Sequence, residues 1–314
     1  MHTERLEPTR VMVTGGAGFI GSHVVDRLVE DGHEVIVVDD LSSGREANLP
    51  PGAHLVRLSV VLPRLRLIML EMRPRIVVHM AAQISVRRSV ALPDHDVTVN
   101  VLGLINLLEA IAVTGSVERI IFASSGGAYY GDEAALPARE DGPARPTSPY
   151  GASKAASELY LGAFAASHGV PWTSLRLANV YGPRQDPQGE AGVVAIFARQ
   201  LLAGETCRIN GTGHQTRDFV HVEDISRAMV MAAACKADGA YNIGTGTETS
   251  IKRLHEILAG SVPGAAPAVH GPALHGEQMR SCIDPALARA KMDWMPRIDL
   301  EDGLARTLDW FRNA

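Results

Sequence analysis

The sequence predicts an α/β protein with a doubly wound parallel sheet, followed by a smaller mixed α/β domain. In the first 180 residues, short β-branched apolar runs alternate with amphipathic helical stretches. That alternation is typical of a parallel sheet covered by helices on both faces. The segment Gly182–Gly192 is then rich in Gly, Pro and charge, and shorter, less regular elements follow it. We expect one domain over residues 1–180 and a second over 181–314, with the segment near 216–245 packing back on the first.

The individual elements follow from the same patterns. Runs of apolar residues that stop at glycine, proline or polar residues predict strands, and apolar spacings of three and four predict helices. The predicted strands are Arg10–Thr14, Glu34–Asp39, Arg75–His79, Arg119–Ser124, Trp172–Leu177, Cys207–Ile209, Phe219–His221 and Tyr241–Gly244. The predicted helices are Phe19–Glu30, Asp96–Thr114, Pro149–His168, Val193–Ala203, Glu223–Lys236, Ile251–Ala259 and Leu300–Phe311.

Composition argues against several classes of function. Thirty Lys and Arg against thirty-five Asp and Glu give a net charge of −5, so no broad basic surface for nucleic acid is expected. No apolar run reaches the ~18 residues that span a bilayer, and the polar N-terminus is not a signal peptide. The three cysteines, Cys207, Cys235 and Cys282, have neither disulfide nor zinc spacing. We expect a cytoplasmic protein without a structural metal and without a membrane or nucleic-acid partner.

A glycine triplet follows the first predicted strand. Gly15, Gly18 and Gly21 would make the tight turn, admit a pyrophosphate to the backbone and let helix and strand pack closely. The helix that begins there offers free N–H groups to phosphate. Asp39 ends the second strand, 24 residues after Gly15, where it can accept hydrogen bonds from ribose hydroxyls. This context predicts a Rossmann-like site for NAD, since Asp39 would repel the 2′-phosphate of NADP.

A tyrosine and a lysine follow at helical spacing. Tyr150 and Lys154 lie at i and i+4, so they share one helix face. A free phenol has a pKa of about 10, and a nearby cation lowers it towards the range of a general base. The pair comes after Ser124 and Ser125 at the end of the fourth predicted strand, the edge where ligands bind in this architecture.

Together these segments resemble a known family. The segments TGGAGFIG, VVDDLSSG, HMAAQ, SSGGAYYG, SPYGASK, LANVYGPRQDP and QTRDF are similar to those of extended short-chain dehydrogenases/reductases. The similarity is greatest to nucleotide-sugar epimerases of the UDP-glucose 4-epimerase type, and it covers nearly the whole chain. It implies an enzyme with bound NAD, a UDP-sugar substrate, a transient 4-keto sugar and a homodimer.

The resemblance also implies roles for matching residues. Tyr150 would take the proton of the sugar 4-hydroxyl, and Lys154 would bind the nicotinamide ribose. Implied contacts of the cofactor are Gly15, Gly18, Phe19, Ile20, Gly21, Asp39, Ser43, Gly44, Ala81, Ala82, Gln83, Asn100, Tyr150 and Lys154. Implied contacts of the substrate are Ser85, Ser125, Gly126, Asn179, Val193, Val194, Arg217, Glu277 and Arg280.

Three positions depart from the family pattern. Gly126 stands where many members have Ser or Thr, so Ser125, Ser124 or neither supplies the hydroxyl at the sugar oxygen; Ser125 is our candidate. Ser59 replaces the acid that receives the adenine amino group, which predicts weaker hold on NAD. Leu274 replaces an arginine that helps hold the nucleotide, and either Arg280 compensates or Arg217 acts alone.

Other reactions of the family are less well supported. Gly127 and Ala128 stand where sugar dehydratases carry an acidic pair, and UDP-glucuronate decarboxylases carry a Glu at the position of Ala128. Epimerisation at C4 of a UDP-hexose remains the main prediction. Glucose/galactose, N-acetylhexosamine and uronic-acid substrates all stay open. A reductase or dehydrogenase that releases NAD(P) and a non-catalytic nucleotide sensor are the alternatives.

Overall fold

The three-dimensional description rests on a computed structural model of the 314-residue chain. It covers residues 6–132, 134–188, 192–235, 237–273 and 278–314.

Strands and helices alternate along most of the first 177 residues, and short strands follow one another in the later part of the chain. The strands are β1 Arg10–Thr14, β2 Glu34–Asp39, β3 His54–Arg57, β4 Ile76–His79, β5 Arg119–Ser125, β6 Trp172–Leu177, β7 Asn179–Tyr181, β8 Arg208–Asn210, β9 Thr216–Arg217, β10 Phe219–His221, β11 Gly239–Ile243, β12 Thr249–Ser250, β13 Val269–Gly271 and β14 Arg280–Ser281. The helices are α1 Phe19–Glu30, α2 Leu65–Met72, α3 Val86–Ala91, α4 Pro93–Val97, α5 Gly103–Thr114, α6 Gly126–Tyr129, α7 Pro149–His168, α8 Val193–Leu202, α9 Val222–Ala234, α10 Ile251–Gly260, α11 Ala286–Met292 and α12 Leu300–Asn313. A 3₁₀ turn spans Glu46–Asn48, and a π-helical turn, Thr98–Leu102, joins α4 to α5.

The main sheet has seven parallel strands in the order β11-β6-β5-β4-β1-β2-β3. The order reverses between β1 and β4, so the chain winds outwards in both directions from this point. Ligands of such sheets bind at the reversal, outside the carboxyl ends of the strands. The predicted parallel, doubly wound sheet is confirmed.

Helices cover both faces of the sheet because side chains alternate along each strand. Val11 and Val13 of β1 face one core, which α1, α9 and α11 complete. Met12 faces the other core with side chains of α2, α5 and α7. Both faces are therefore buried, and the carboxyl edge is left for a ligand.

A third apolar core lies in the later part of the chain. Side chains of α8, α10 and α12 form it, with β7, β8 and β10 at its border. Three short strands, β12, β9 and β14, form a separate sheet. Strand β11 instead joins the main sheet beside β6, and α9 packs against α1. The boundary at residue 180 stays a prediction.

The helical stretch Pro93–Thr114 is long and apolar enough to cross a bilayer by length and composition alone. Half of it is buried inside the protein, where α5 packs on α2 and the sheet. A core helix meets the same criterion, so this stretch is weak evidence for a membrane span.

Candidate active site

Among the four glycines of the turn after β1, Gly15 and Gly21 leave the least room for a side chain. Gly15 has a φ of +70°, and a Cβ there would lie 2.6 Å from the Ala81 nitrogen. A Cβ on Gly21 would overlap the Gly15 carbonyl oxygen. Gly18 precedes α1, and no side chain in the described part of the chain caps that helix. The first N–H groups of α1 are thus available to a phosphate.

Asp39 closes the same turn from the end of β2. It is 8% exposed, with Oδ2 accepting from the Ala17 N–H at 2.9 Å and Oδ1 accepting from the Leu41 N–H at 2.8 Å. Burial raises the pKa of this carboxyl, and the two backbone hydrogen bonds oppose that shift. Each oxygen retains a lone pair for a ribose hydroxyl.

A cleft of about 200 Å³ opens at the carboxyl edge between these groups and α7. It brings together most of the predicted cofactor residues. Those that line it are Gly15, Gly18, Phe19, Ile20, Gly21, Asp39, Ser43, Ala81, Ala82, Tyr150 and Lys154. Ser124 lines the cleft as well.

Three predicted cofactor residues do not line this cleft. Gly44 packs behind Asp39, since a Cβ there would lie 3.0 Å from Asp39 Oδ2. Gln83 and Asn100 are 8% and 3% exposed and bind each other: the Gln83 N–H donates to Asn100 Oδ1 at 2.8 Å, and Asn100 Nδ2 donates to the Gln83 carbonyl at 2.9 Å. They fix the backbone that follows β4.

An acidic residue lies beside Ser59 at the far end of the cleft. Asp40, Ser42 and Ser59 all line it. Burial raises the pKa of Asp40, but hydrogen bonds from Ser42 and Ser59 outweigh it and the net shift is downward. The Asp40 carboxylate thus stands next to the serine that replaces the family's acid.

Tyr150 and Lys154 are set by the first turns of α7. Ser148 caps this helix by accepting from the Gly151 N–H at 3.2 Å, and Pro149 occupies its first position. Lys154 is 4% exposed, and its Nζ donates to the Ala123 carbonyl at 2.8 Å. Nζ also lies 5.8 Å from the centre of the Tyr150 ring.

Burial controls the acidity of both groups. It raises the pKa of Tyr150 to about 12, against a hydrogen bond with Ser125, while the charge of Asp96 adds to the rise. It lowers the pKa of Lys154 to about 8, against the carboxylates of Asp96 and Glu158. At neutral pH Lys154 is therefore mainly charged. The chain's own groups leave the Tyr150 phenol protonated.

The two candidate serines have different surroundings. Ser125 lies close enough to Tyr150 for its hydroxyl to lower the pKa of the phenol, and Ser125 Oγ accepts from the Ala128 N–H at 3.4 Å. Ser124 is 4% exposed, and its Oγ has no hydrogen-bond partner among the described residues. Ser125 is thus the serine that lies close to the predicted base, Tyr150. The Ser124 hydroxyl has no hydrogen-bond partner among the described residues.

Gly126 is closed off by packing. A Cβ at this residue would lie 2.9 Å from two methyl carbons of Ile283. A Ser or Thr, as in many relatives of the family, would need Ile283 to move. Residue 126 therefore offers no hydroxyl, and Ser125 stays the candidate.

The predicted substrate arginines lie on adjacent strands. Arg217 on β9 and Arg280 on β14 belong to the same small sheet, and Arg217 Nη1 donates to the Thr216 carbonyl at 2.7 Å. Arg280 Nε donates to Glu248 Oε1 at 2.9 Å, and its Nη2 also contacts Glu248. Hydrogen bonds from Arg280 and Thr216 lower the pKa of Glu248 to about 2. Arg280 is therefore already paired.

The other substrate candidates are spread around this region. Asn179 is exposed at the start of β7, and Val193 is half-buried. Val194 is 1% exposed inside the third core, and Ser85 caps α3 by accepting from the Arg88 N–H. None of the described substrate candidates lines the cleft. Glu277 and Leu274 lie outside the described residues.

Sequence reasoning missed two groups of buried polar residues at the site. One is Asp96, which is 0% exposed, and the other is the ion pair of Glu158 and Arg176, each 6% exposed at the side chain. The available signal for Asp96 was an acidic residue at the start of the mostly apolar predicted helix Asp96–Thr114. The ion pair joins α7 to β6, a contact that spacing along the chain does not reveal.

The cleft fits a dinucleotide by its own geometry. The glycine turn leaves room only for backbone, and Asp39 stands at the end of β2. At the opposite end, the unpaired Ser124 hydroxyl and the Lys154 ammonium face the cleft. A buried hydroxyl without a partner is costly unless a ligand satisfies it.

Comparisons with known proteins show the family of this chain. A family model described as the NAD dependent epimerase/dehydratase family matches residues 11–244. UDP-glucose 4-epimerase of Mycolicibacterium smegmatis is 46% identical over 97% of this chain and 99% of its own length.

Two solved structures are similar over the same span. The UDP-glucose 4-epimerase of Thermotoga maritima with UDP-glucose has a TM-score of 0.95 and 43% identity, covering 97% of this chain and 99% of the other. The UDP-glucose 4-epimerase of Thermus thermophilus in complex with NAD has a TM-score of 0.92, also at 43% identity and with the same coverage. This chain belongs to the NAD dependent epimerase/dehydratase family.

Proposed function

We propose that the protein is an NAD-dependent UDP-sugar 4-epimerase of the UDP-glucose/UDP-galactose type. The observation that carries the proposal is Tyr150, which lines the dinucleotide cleft close to Ser125, with the Lys154 ammonium one helical turn away. The similarity to UDP-glucose 4-epimerases over nearly the whole chain supports the same reaction.

The chain's residues hold the cofactor along the whole cleft. Gly15, Gly18 and Gly21 receive the pyrophosphate, Asp39 the adenine ribose, and Lys154 the nicotinamide ribose. NAD would supply the hydride acceptor and donor for sugar C4, and its positively charged ring would favour the Tyr150 phenolate.

Proton transfer falls to Tyr150. Its phenolate accepts the proton of the sugar 4-hydroxyl as the C4–H bond breaks, and the resulting phenol gives that proton back when C4 is reduced on its other face. Ser125 donates its single O–H to the sugar oxygen. Lys154, fixed to the Ala123 carbonyl, keeps a positive charge beside the phenolate.

Elimination is not supported at this site. Dehydration needs an acid and a base at C5 and C6 of the sugar, and Gly127 and Ala128 carry neither. Tyr150 at the cleft supplies the single proton transfer that C4 epimerisation requires.

The substrate diphosphate is assigned to the small sheet. Arg217 is our main candidate, since a guanidinium fork matches a pair of phosphate oxygens. Arg280 can contribute only by exchanging its ion pair with Glu248 for the phosphate. Asn179, Ser85, Val193, Val194, Gly126 and Glu277 complete the proposed set.

The proposal is tested with purified protein and UDP-galactose, without added cofactor. We expect bound NAD to be released on denaturation and UDP-glucose to form, as followed by NMR of the anomeric and H4 signals. If the protein converts UDP-N-acetylgalactosamine or UDP-glucuronate but not UDP-galactose, the substrate carries that other sugar instead. Turnover only with a stoichiometric supply of NAD(P) would indicate a net reductase, and no conversion of any 4-epimer pair would refute the proposal.

Ser125→Ala tests the assignment of the hydroxyl. We expect kcat to fall by about 10- to 100-fold, because a hydrogen bond to a charged oxygen contributes about 1.5–3 kcal/mol. The matched variant is Ser124→Ala, which removes a neighbouring hydroxyl that has no hydrogen-bond partner among the described residues. A larger loss of kcat in Ser124→Ala would transfer the role to Ser124.

A cytoplasmic homodimer completes the proposal. The helices α5 and α7 expose large apolar side chains, among them Val113 at 45%, Leu159 at 76% and Tyr160 at 46%. Burial of these faces against a second copy would remove an exposed apolar patch from water. All three cysteines are free, which suits a reducing compartment. Sedimentation equilibrium measures the oligomeric state directly.

A further inference from the structure

Asp96 is a buried carboxylate that the proposed chemistry does not yet use. It lies on α4, is 0% exposed, and accepts three hydrogen bonds. Oδ1 accepts from Gln83 Nε2 at 2.8 Å and from Asn100 Nδ2 at 3.1 Å, and Oδ2 accepts from Ser153 Oγ at 2.6 Å. A buried carboxylate is retained only when its lone pairs are satisfied in this way.

These contacts join three separate parts of the site. Gln83 belongs to the segment after β4 whose Ala81 and Ala82 line the cleft. Asn100 lies in the π-helical turn, a local distortion often found at functional sites. Ser153 lies on α7 directly before Lys154. One carboxylate therefore fixes the base-bearing helix against the cofactor-facing segment.

The charge of Asp96 is not neutralised by its hydrogen-bond donors, which are two amides and a hydroxyl. Its influence instead reaches Tyr150 and Lys154, whose proton affinities it raises. Among the described residues, Glu158 on α7 also acts on Lys154.

One titratable residue and two arginines lie near the Asp96 cluster. His79 on β4 faces Lys154, but burial and the charge of Lys154 lower its pKa to about 3, so it is neutral near pH 7. Arg87 and Arg88 on the adjacent α3 are exposed. Asp96 is thus the buried charge common to both members of the catalytic pair.

We propose that Asp96 is a positioning residue that fixes α7 against the β4 segment and sets the pH window in which Tyr150 and Lys154 act. This inference rests on the proposed function, because it assumes that a Tyr150 phenolate and a charged Lys154 are both required. The acid limb of the pH profile then reports loss of the phenolate, and the alkaline limb reports loss of the lysine charge.

The test is the pH dependence of kcat/KM for Asp96→Asn holoenzyme. Removing a negative charge makes a proton easier to lose from both groups. We therefore expect both limbs to move to lower pH, each by about one unit. Damage to the fold would lower the whole profile without moving its two limbs together.

Ser153→Ala is the matched control, because it removes a hydrogen bond to the same carboxylate and keeps the charge. We expect its limbs to stay at the wild-type pH values while kcat falls. Asp96→Ser, a second variant without the charge, should shift the limbs as Asp96→Asn does.

Unshifted limbs in folded, NAD-containing Asp96→Asn, or limbs that move in opposite directions, would overturn the proposal. If neither Asp96→Asn nor Asp96→Ser folds and retains NAD, Asp96 has a purely structural role, and the proposal is overturned as well. Absence of epimerisation in the wild-type protein would instead refute the proposed function, so the two failures are distinguishable.

Discussion

Tyr150→Phe is expected to lower kcat by roughly 10²- to 10⁴-fold, the range for loss of a general acid–base group. The substitution removes only the hydroxyl, and the ring can keep its place in the cleft near the Lys154 ammonium. Bound NAD should therefore remain, while the group that accepts the proton of the sugar 4-hydroxyl is lost. Initial rates with UDP-galactose, together with NAD content, measure the two effects separately.

Tyr160→Phe is the matched control for this variant. Tyr160 lies on the same helix, α7, but its side chain is 46% exposed. We expect its kcat to stay within about twofold of wild type, because Tyr160 does not line the cleft and phenylalanine keeps the ring that the proposed dimer contact would bury. Wild-type turnover in Tyr150→Phe would remove the phenol from the mechanism and favour a non-catalytic protein.

Glu158→Gln is expected to lower the free energy of unfolding by about 3–5 kcal/mol, because it leaves a buried guanidinium without its counter-charge. Arg176 Nη2 donates to Glu158 Oε2 at 2.6 Å, and Ser174 Oγ donates to Glu158 Oε1 at 2.9 Å. The guanidinium also lies 3.7 Å from the centre of the Tyr129 ring. Burial alone would lower the pKa of Arg176, but the hydrogen bonds and charge of Glu158 raise it overall.

Urea denaturation at a fixed NAD concentration measures this loss. The matched control is Glu118→Gln, which breaks a bidentate pair with Arg75 on the surface, where the side chains are 58% and 56% exposed. An exposed pair contributes about 0–1 kcal/mol. Equal losses in the two variants would contradict the account of the buried pair. Replacing both Glu158 and Arg176 by apolar residues should recover much of the stability.

Four elements at or near the dinucleotide site were predictable to the residue. The ranges Arg10–Thr14, Phe19–Glu30, Glu34–Asp39 and Pro149–His168 are the same in sequence and structure. Their ends carry local signals: glycines after the first strand, and Ser148 with Pro149 at the start of α7. Where a boundary is encoded by adjacent residues, the sequence suffices.

Other elements depend on contacts between distant residues and were missed. The strands β9, β12 and β14 have two residues each, too few for any periodicity, and they exist because they pair with one another. Helix α2 exposes Leu67 at 63% and Leu70 at 39%, so its apolar pattern does not mark one buried face. The helix expected over Asp96–Thr114 is interrupted by the π-helical turn at Asn100.

The site shows the same division between local and tertiary information. The glycine turn, Asp39, Tyr150 and Lys154 were found from spacing, and one cleft brings them together. The choice between Ser124 and Ser125 was open in the sequence, because adjacent strand residues point to opposite sides and only the fold decides which meets Tyr150.

The most direct test of the central claim follows deuterium at C4 of the sugar. Purified protein is incubated with UDP-[4-²H]galactose in ordinary water without added cofactor, and the UDP-glucose product is examined by NMR and mass spectrometry. If hydride leaves and returns to C4 within the closed cleft while Tyr150 handles only the hydroxyl proton, the product retains deuterium at C4. Product with hydrogen at C4, or no UDP-glucose at all, would contradict the account.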